Sequence, residues 1–158
     1  RTEQLRNAMA FHQFVSGHPY LDDLAFCLKP LGLVQQIGSA RIIFNIAPKK
    51  EKEVIIYAKD EEGMPNGDIS RAVSEMIEWW RSIGVTSYNM AFYMPPLEFD
   101  GDNRWHNFPP FVRMLDRGSE DARTSDIGAM ELYGPSVVSS DPFKLAQSFA
   151  EYQREKAV

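Results

Sequence analysis

The first 27 residues carry apolar side chains at helical spacing. One face of a helix with 3.6 residues per turn collects Leu5, Ala8, Met9 and His12. The run 16–19 breaks this helix, because glycine costs conformational entropy and the residue before a proline avoids helical dihedrals. A second short helix is predicted over 20–28, and the run 29–32 ends it.

Two strands are predicted next, because polar and apolar residues alternate. Over 40–47 one face carries Ile42, Phe44 and Ile46. The segment 53–59 is rich in β-branched residues, which favour strands. We expect the two to form an antiparallel hairpin through a turn at Pro48.

The clearest pattern predicts an amphipathic helix over 68–83. Its apolar stripe consists of Ile69, Ala72, Val73, Met76, Ile77, Trp80 and Ile83. Asp68 is the predicted N-cap, and Gly84 lies where a glycine ends a helix. We interpret the pair Trp79 and Trp80 as packing residues, with only Trp79 off the stripe.

Further strands are predicted over 85–94, 108–115 and 127–133, and a terminal helix begins at Asp141 and Pro142. Pro109 and Pro110 restrict the strand over 108–115 to a sheet edge or to a bulge at its start. Neighbouring strands with few crossovers predict an α+β fold, an antiparallel sheet with helices packed on it. We interpret residues 1–158 as one domain, with a helical N-terminal extension over 1–37 and an α+β core over 38–158.

Composition narrows the function classes. The chain has 158 residues, of which 44% are hydrophobic, and a net charge of −5, which disfavours nucleic-acid and anionic-membrane partners. The single Cys27 excludes an internal disulfide framework. Since no apolar run is long enough to span a membrane and no signal peptide is visible, we expect a cytoplasmic protein. The first residue is Arg1 rather than Met, which we interpret as a fragment of a longer chain.

The segment 104–131 concentrates the candidate chemistry. It contains His106, Arg113, Arg117, Arg123, Ser125, Asp126 and Glu131. Arginines can clamp a phosphate through paired hydrogen bonds, and hydroxyls can supplement them. The alternative is that Arg113 and Arg117 form surface ion pairs with Asp116, Glu120 and Asp121. The sequence contains no G-x-G-x-x-G motif, no P-loop, no H-E-x-x-H zinc motif and no G-x-S-x-G nucleophile elbow.

Several of these segments occur in the order and spacing of a known family. They are YNMAFYMPP over 88–96, FPPFVR over 108–113, GAME over 128–131 and DPFKLA over 141–146. Residues 38–150 thereby resemble the C-terminal half of galactose-1-phosphate uridylyltransferases, which belong to the histidine-triad superfamily. The family strand reads Y-S-M-G-W-H-Q-A-P, and its next strand reads F-Y-P-P-L-L-R.

The resemblance implies a pocket for a nucleotide or sugar phosphate. Its substrate-binding residues would be Arg113, Arg117, Ser125, Glu131 and His106, with Glu131 contacting the hexose. The family's nucleophilic H-P-H lies in its N-terminal half, and this chain contains no H-x-H. Ser125 replaces a lysine and Val137 a glutamine of the family, so galactose 1-phosphate is not supported as the substrate.

Replaced residues also weaken the case for a metal site. The family's C-terminal half donates three histidines in many members, and the matching positions here are Tyr93, Arg104 and His106. We therefore assign no metal and no cofactor to this chain, and the resemblance leaves zinc or iron open for a full-length parent.

Three functional hypotheses follow. The first is the C-terminal half of a nucleotidyltransferase of carbohydrate metabolism, inactive alone and completed by a missing N-terminal half. The second is a non-catalytic ligand-binding or dimerisation module of the same fold. Separately, the face of Tyr88, Met90 and Phe92 and the apolar stripe of the helix over 68–83 are candidates for a homodimer surface. The third, weaker hypothesis is an enzyme that uses His106 with Asp100 or Asp102 as general acid and base.

Overall fold

A computed structural model describes residues 2–58, 67–96, 105, 108–118 and 140–157. The two predicted N-terminal helices are confirmed as α1 (Thr2–Ser16) and α2 (Tyr20–Leu28), and a 3₁₀ turn over Lys29–Leu31 follows α2. Gly17 separates the helices with φ of +80°, a backbone conformation that glycine adopts without strain.

Five strands of the described residues form one antiparallel sheet, which confirms the α+β fold class. In chain order the strands are β1 (Val34–Ile37), β2 (Ala40–Phe44), β3 (Val54–Ala58), β4 (Tyr88–Tyr93) and β5 (Phe111–Asp116). Their spatial order is β1-β2-β3-β5-β4, and the expected hairpin joins β2 to β3.

The sheet differs from the predicted one at two strands. Residues 34–37, which the sequence pattern grouped with the helical extension, form β1, a strand of four residues with two central glutamines that show no alternation. The strand after Pro109 and Pro110 is interior rather than at an edge, because its pairing begins at Phe111, past both prolines. The strand predicted over 127–133 lies outside the described residues.

Two helices cover one face of the sheet, which we call the helix face. They are α3 (Gly67–Ser82) and α4 (Pro142–Lys156), both close to their predicted positions. Phe44 of β2, Trp79 of α3 and Phe149 of α4 meet with ring centroids 5.2–6.0 Å apart. Trp79 lies off the predicted stripe but is 1% exposed, because α4 covers the flank of α3 that carries it.

The opposite face of the sheet is covered by α2, and α1 packs against α2. The Tyr57 hydroxyl of β3 donates to the carbonyl oxygen of Leu21 in α2 at 2.9 Å. Ile42 and Ile43 are both 0% exposed, although adjacent strand residues point to opposite faces. The middle strands are therefore buried on both faces.

The turn between β1 and β2 is joined to the start of α3. Asp68, predicted as the N-cap, lies within the first turn of α3, and its carboxylate accepts from the Ser39 N–H and hydroxyl at 2.8 Å. These hydrogen bonds lower the pKa of Asp68. Gly38 has φ of +57°, and a Cβ there would collide with the Asp68 carboxylate. Glycine is therefore required at this turn on two grounds.

No helix in the described part of the chain is long and apolar enough to cross a membrane.

The aromatic cluster predicts a contrast between two phenylalanines of α4. Phe149→Ala should lower the free energy of unfolding by about 3–5 kcal/mol, because it empties a fully buried site between α3 and the sheet. Phe143→Ala removes a side chain that is 47% exposed and should change stability by less than about 1 kcal/mol. Denaturant unfolding monitored by tryptophan fluorescence measures both, and equal effects would contradict the packing described here.

Candidate functional site

Arg113 projects from the sheet face opposite α3 and α4. Its strand neighbours Val112 and Met114 point to the helix face and are 0% exposed, so alternation sends Arg113 to the other side. Arg113 lies opposite Ile55 of β3 and Ala91 of β4, in the middle of the sheet. The backbone thus fixes the position of its guanidinium.

Arg113 belongs to a polar cluster built on Glu53, which we call the Glu53 cluster. The Glu53 side chain has no exposed surface, and its Oε1 accepts from Arg113 Nε at 2.9 Å and Nη2 at 2.6 Å. Oε1 also accepts from Asn45 Nδ2 at 2.7 Å, and Oε2 accepts from the backbone N–H of Lys49 at 2.7 Å. Both carboxylate oxygens are therefore paired, as burial of a charge requires.

This pairing changes what Arg113 can do. The guanidinium carries five N–H donors, and the hydrogen bonds to Glu53 use one on Nε and one on Nη2. The side chain is 24% exposed, so its remaining donors can meet an anion from solvent, in an orientation that Glu53 holds. The alternative of a surface pair with Asp116 is wrong for Arg113, because Asp116 pairs with Lys52 at 2.6 Å.

Arg117 lies just beyond the end of β5 and is exposed. Its backbone N–H donates to the Ser87 carbonyl at 2.9 Å, and no described residue forms an ion pair with its guanidinium. Four residues along a strand separate Arg113 from Arg117, so their Cα atoms are about 13 Å apart. The two arginines would therefore contact different groups of one ligand.

The turn between β2 and β3 holds the chain on both sides of segment 119–139, and we call these contacts the turn anchor. Lys52, with φ of +52°, pairs with Asp116, whose other oxygen accepts from the Gly118 N–H at 2.7 Å. On the other side, Ser140 donates its N–H to Glu51 at 2.9 Å and accepts from the Lys52 N–H at 3.0 Å. Residues 118 and 140 are thus fixed at one corner of the sheet, beside the Glu53 cluster.

Three of the five predicted substrate-binding residues, His106, Ser125 and Glu131, lie outside the described residues, as does Arg123. The structure therefore describes Arg113 and Arg117 of this set. Tyr93, which takes the place of a histidine in the family pattern, stacks on Phe111 with ring centroids 4.5 Å apart.

The structure also brings together two histidines that the sequence pattern separated. His12 Nε2 lies 2.9 Å and His18 Nδ1 3.7 Å from different oxygens of Asp23, because the break between α1 and α2 folds both towards that carboxylate. The His12 hydrogen bond is the main cause of a lowered pKa at Asp23. Within the described ranges no group of three or more acidic, histidine or cysteine side chains could hold a metal ion.

A second polar group lies under α2. Arg41 Nη1 donates to Asp22 at 2.6 Å and to the Tyr57 hydroxyl at 2.9 Å. Burial raises the pKa of Tyr57 to about 12. The phenol therefore stays protonated and acts as a structural donor that links α2 to the sheet.

Comparison with known proteins identifies similar structures but no similar sequences. No protein-family profile and no curated protein matches the chain. A solved uridylyltransferase superposes with a TM-score of 0.72 at 13% identity, over 98% of this chain and 51% of that one. A uridylyltransferase mutant gives 0.71 at 14% identity, over 98% and 52%. The chain therefore has a uridylyltransferase-like fold and spans about half the length of the structures it matches.

Removal of Glu53 tests how strongly the Glu53 cluster stabilises the sheet. Glu53→Ala should lower the free energy of unfolding by about 2–4 kcal/mol, because Arg113 and Asn45 lose a buried acceptor. The control Glu78→Ala removes the exposed partner of Lys156 and should leave chemical denaturation almost unchanged. A neutral effect of Glu53→Ala would contradict the described pairing.

The raised pKa of Tyr57 predicts an alkaline transition. Because folding favours the protonated phenol, Tyr57 contributes to the free energy of unfolding. This contribution is complete below pH 10 and is lost as the pH rises towards 12. Tyr57→Phe should be less stable at neutral pH by about 1–2 kcal/mol, through lost hydrogen bonds. Its disadvantage should shrink between pH 10 and pH 12 in urea unfolding, and a constant difference would contradict the prediction.

Proposed function

We propose that this chain forms one wall of a pocket for a nucleotide or sugar phosphate. In this proposal the chain is the module of a nucleotidyltransferase that corresponds to the C-terminal half of galactose-1-phosphate uridylyltransferases. The observation that carries the proposal is the uridylyltransferase-like fold over 98% of the chain. Arg113 in β5 and Arg117 just beyond its end supply the positive charge that phosphate groups need.

The covalent step of such a reaction has no candidate nucleophile here. A histidine-triad transferase needs a histidine that attacks the α-phosphorus and holds the nucleotidyl group. The three histidines of this chain are His12, His18 and His106, and no two of them form an H-x-H pair. His12 and His18 are committed to Asp23. We therefore propose that this chain alone binds without turnover, and that a missing N-terminal half supplies the nucleophile.

The residues at the matched metal positions do not suit zinc or iron. They are a phenol at Tyr93, a guanidinium at Arg104 and one imidazole at His106, whereas zinc sites need converging sulfur, nitrogen or carboxylate ligands. Tyr93 is moreover stacked on Phe111. Our proposal accordingly involves no metal step. As a separate part of the proposal, we retain the cytoplasm as the expected location of the protein.

The second candidate is a non-catalytic ligand-binding or dimerisation module of the same fold. It is favoured by the Glu53 cluster, in which a carboxylate already neutralises Arg113. A neutralised arginine attracts a phosphate less strongly than a free one, so Arg117 would provide most of the net charge for binding.

Ligand binding is testable with UMP and UDP-glucose as probes. Both should raise the melting temperature of the wild-type chain, since a ligand that binds only the folded state stabilises it. Arg117→Ala should weaken binding roughly tenfold, as expected for loss of one charged hydrogen bond worth ~1.4 kcal/mol. The control Arg71→Ala removes an exposed arginine of α3, 67% exposed and paired with Glu75, and should retain the shift.

Arg113→Lys provides the second arm, because lysine preserves the charge that Glu53 requires but not the paired donors. The Arg113→Lys variant should fold, and calorimetry should show that it binds both probes more weakly than the wild type. Wild-type protein that binds neither probe, or Arg117→Ala that binds both unchanged, would overturn the phosphate-binding proposal.

A further inference from the structure

The sheet face opposite α3 and α4 has a part that is open to solvent. α2 packs on this face at β2. Across β4 and β5 the same face carries Arg113, Leu115, Asn89 and Ala91, because the register places Asn89 opposite Leu115 and Ala91 opposite Arg113. Asn89 and Ala91 are exposed, and Leu115 is half-buried. We call these four residues the open patch.

Arg117 extends the open patch past the end of β5. The pairing of β4 with β5 continues for one more residue, because the Arg117 N–H donates to the Ser87 carbonyl at 2.9 Å. Alternation then places Arg117 on the same face as Leu115 and Arg113. The two arginines therefore lie on one side of the sheet, with Leu115 between them along the chain.

Asn89 lies between the two arginines on the neighbouring strand. Because Asn89 is opposite Leu115, its diagonal neighbours across the ladder are Arg113 and Arg117. Diagonal neighbours in an antiparallel pair are about 7–8 Å apart, which long side chains can span. Asn89 is exposed, and its amide forms no hydrogen bond with another described residue. A ligand that contacts both arginines therefore passes over this amide.

The Asn89 amide suits a different part of such a ligand from the part that a guanidinium suits. The amide is uncharged and offers two N–H donors and one carbonyl oxygen. A hydroxyl group both donates and accepts, so neighbouring hydroxyls can use both ends of the amide. Leu115 beside it offers apolar surface for the C–H groups of a ring. The centre of the open patch therefore fits a hydroxyl-bearing ring better than a second phosphate.

We propose that Asn89 binds the hydroxyl groups of the ligand's sugar, between the groups that Arg113 and Arg117 contact. In a nucleoside monophosphate the ribose is the middle unit, and Asn89 is the middle residue of these three. Asn89 is thus a specificity-determining residue that favours a ribonucleotide over a nucleotide without ribose hydroxyls. This inference rests on the proposed phosphate-binding function, because the two arginines must hold the same ligand.

Calorimetry with UMP and its dideoxy analogue tests this role of Asn89. The two nucleotides share the base and the phosphate, and the analogue lacks both ribose hydroxyls. The wild-type chain should bind UMP about fivefold more tightly than the analogue, as expected for one neutral hydrogen bond. Asn89→Ala should keep the wild-type circular dichroism spectrum and bind both nucleotides equally, with the affinity that the wild type has for the analogue.

Two controls separate hydroxyl recognition from charge and from changes in the strand. Met90→Ala alters the next residue of β4, which is 51% exposed on the helix face, and should retain the preference for UMP. Arg117→Ala should weaken the binding of both nucleotides by the same factor, because both carry the phosphate.

The outcomes distinguish this inference from the proposal on which it rests. If the wild type binds both nucleotides equally, or if Asn89→Ala retains the preference for UMP, the role of Asn89 is wrong while phosphate binding stands. If the wild type binds neither nucleotide, both the phosphate-binding proposal and this inference are wrong.

Discussion

The middle strands of the sheet must be covered on both faces, and this requirement organises the fold. Ile42 and Ile43 point in opposite directions, and neither is exposed. A shift of one residue in the pairing of β2 with β3 would exchange the two faces, so α3 and α4 on one side and α2 on the other fix a single register. The helices on both faces of the sheet therefore contribute to fixing that register.

Double burial also determines where charged groups can lie. Glu53 precedes β3 and has no exposed side-chain surface, so it requires Arg113 and Asn45 as partners. Arg41 likewise donates a hydrogen bond to the Tyr57 hydroxyl, which in turn donates to the Leu21 carbonyl of α2. Arg113, one of the two arginines that we propose for phosphate binding, is thus held in place by a carboxylate that the sheet buries. The exposed part of its side chain faces solvent. Fold and candidate site share one set of contacts.

Periodicity predicted the elements that bury one face over a long run. The helix at α3 and the hairpin of β2 and β3 were visible because their apolar residues repeat at 3.6 or 2 residues. β1 was missed because four residues with two glutamines carry no period. Trp79 was placed off the stripe because a second helix, distant in sequence, widens the buried face of α3.

The candidate site was less accessible to sequence reasoning. Arg113 was identified from its charge and from a family resemblance, but its partner Glu53 lies 60 residues earlier. The pairing depends on the adjacency of β3 and β5, which local pattern does not reveal. The meeting of His12 and His18 at Asp23 depends on the direction of the chain at Gly17; the sequence predicted a break over 16–19 but not that direction.

The turn anchor has a consequence for the length of segment 119–139. Because contacts of Glu51 and Lys52 fix both Gly118 and Ser140, the ends of segment 119–139 are brought together by the sheet itself. Loop-closure entropy rises by only about 0.6 kcal/mol for each doubling of loop length. A change of length between these two anchored ends would therefore leave the contacts that hold them in place and would cost little entropy.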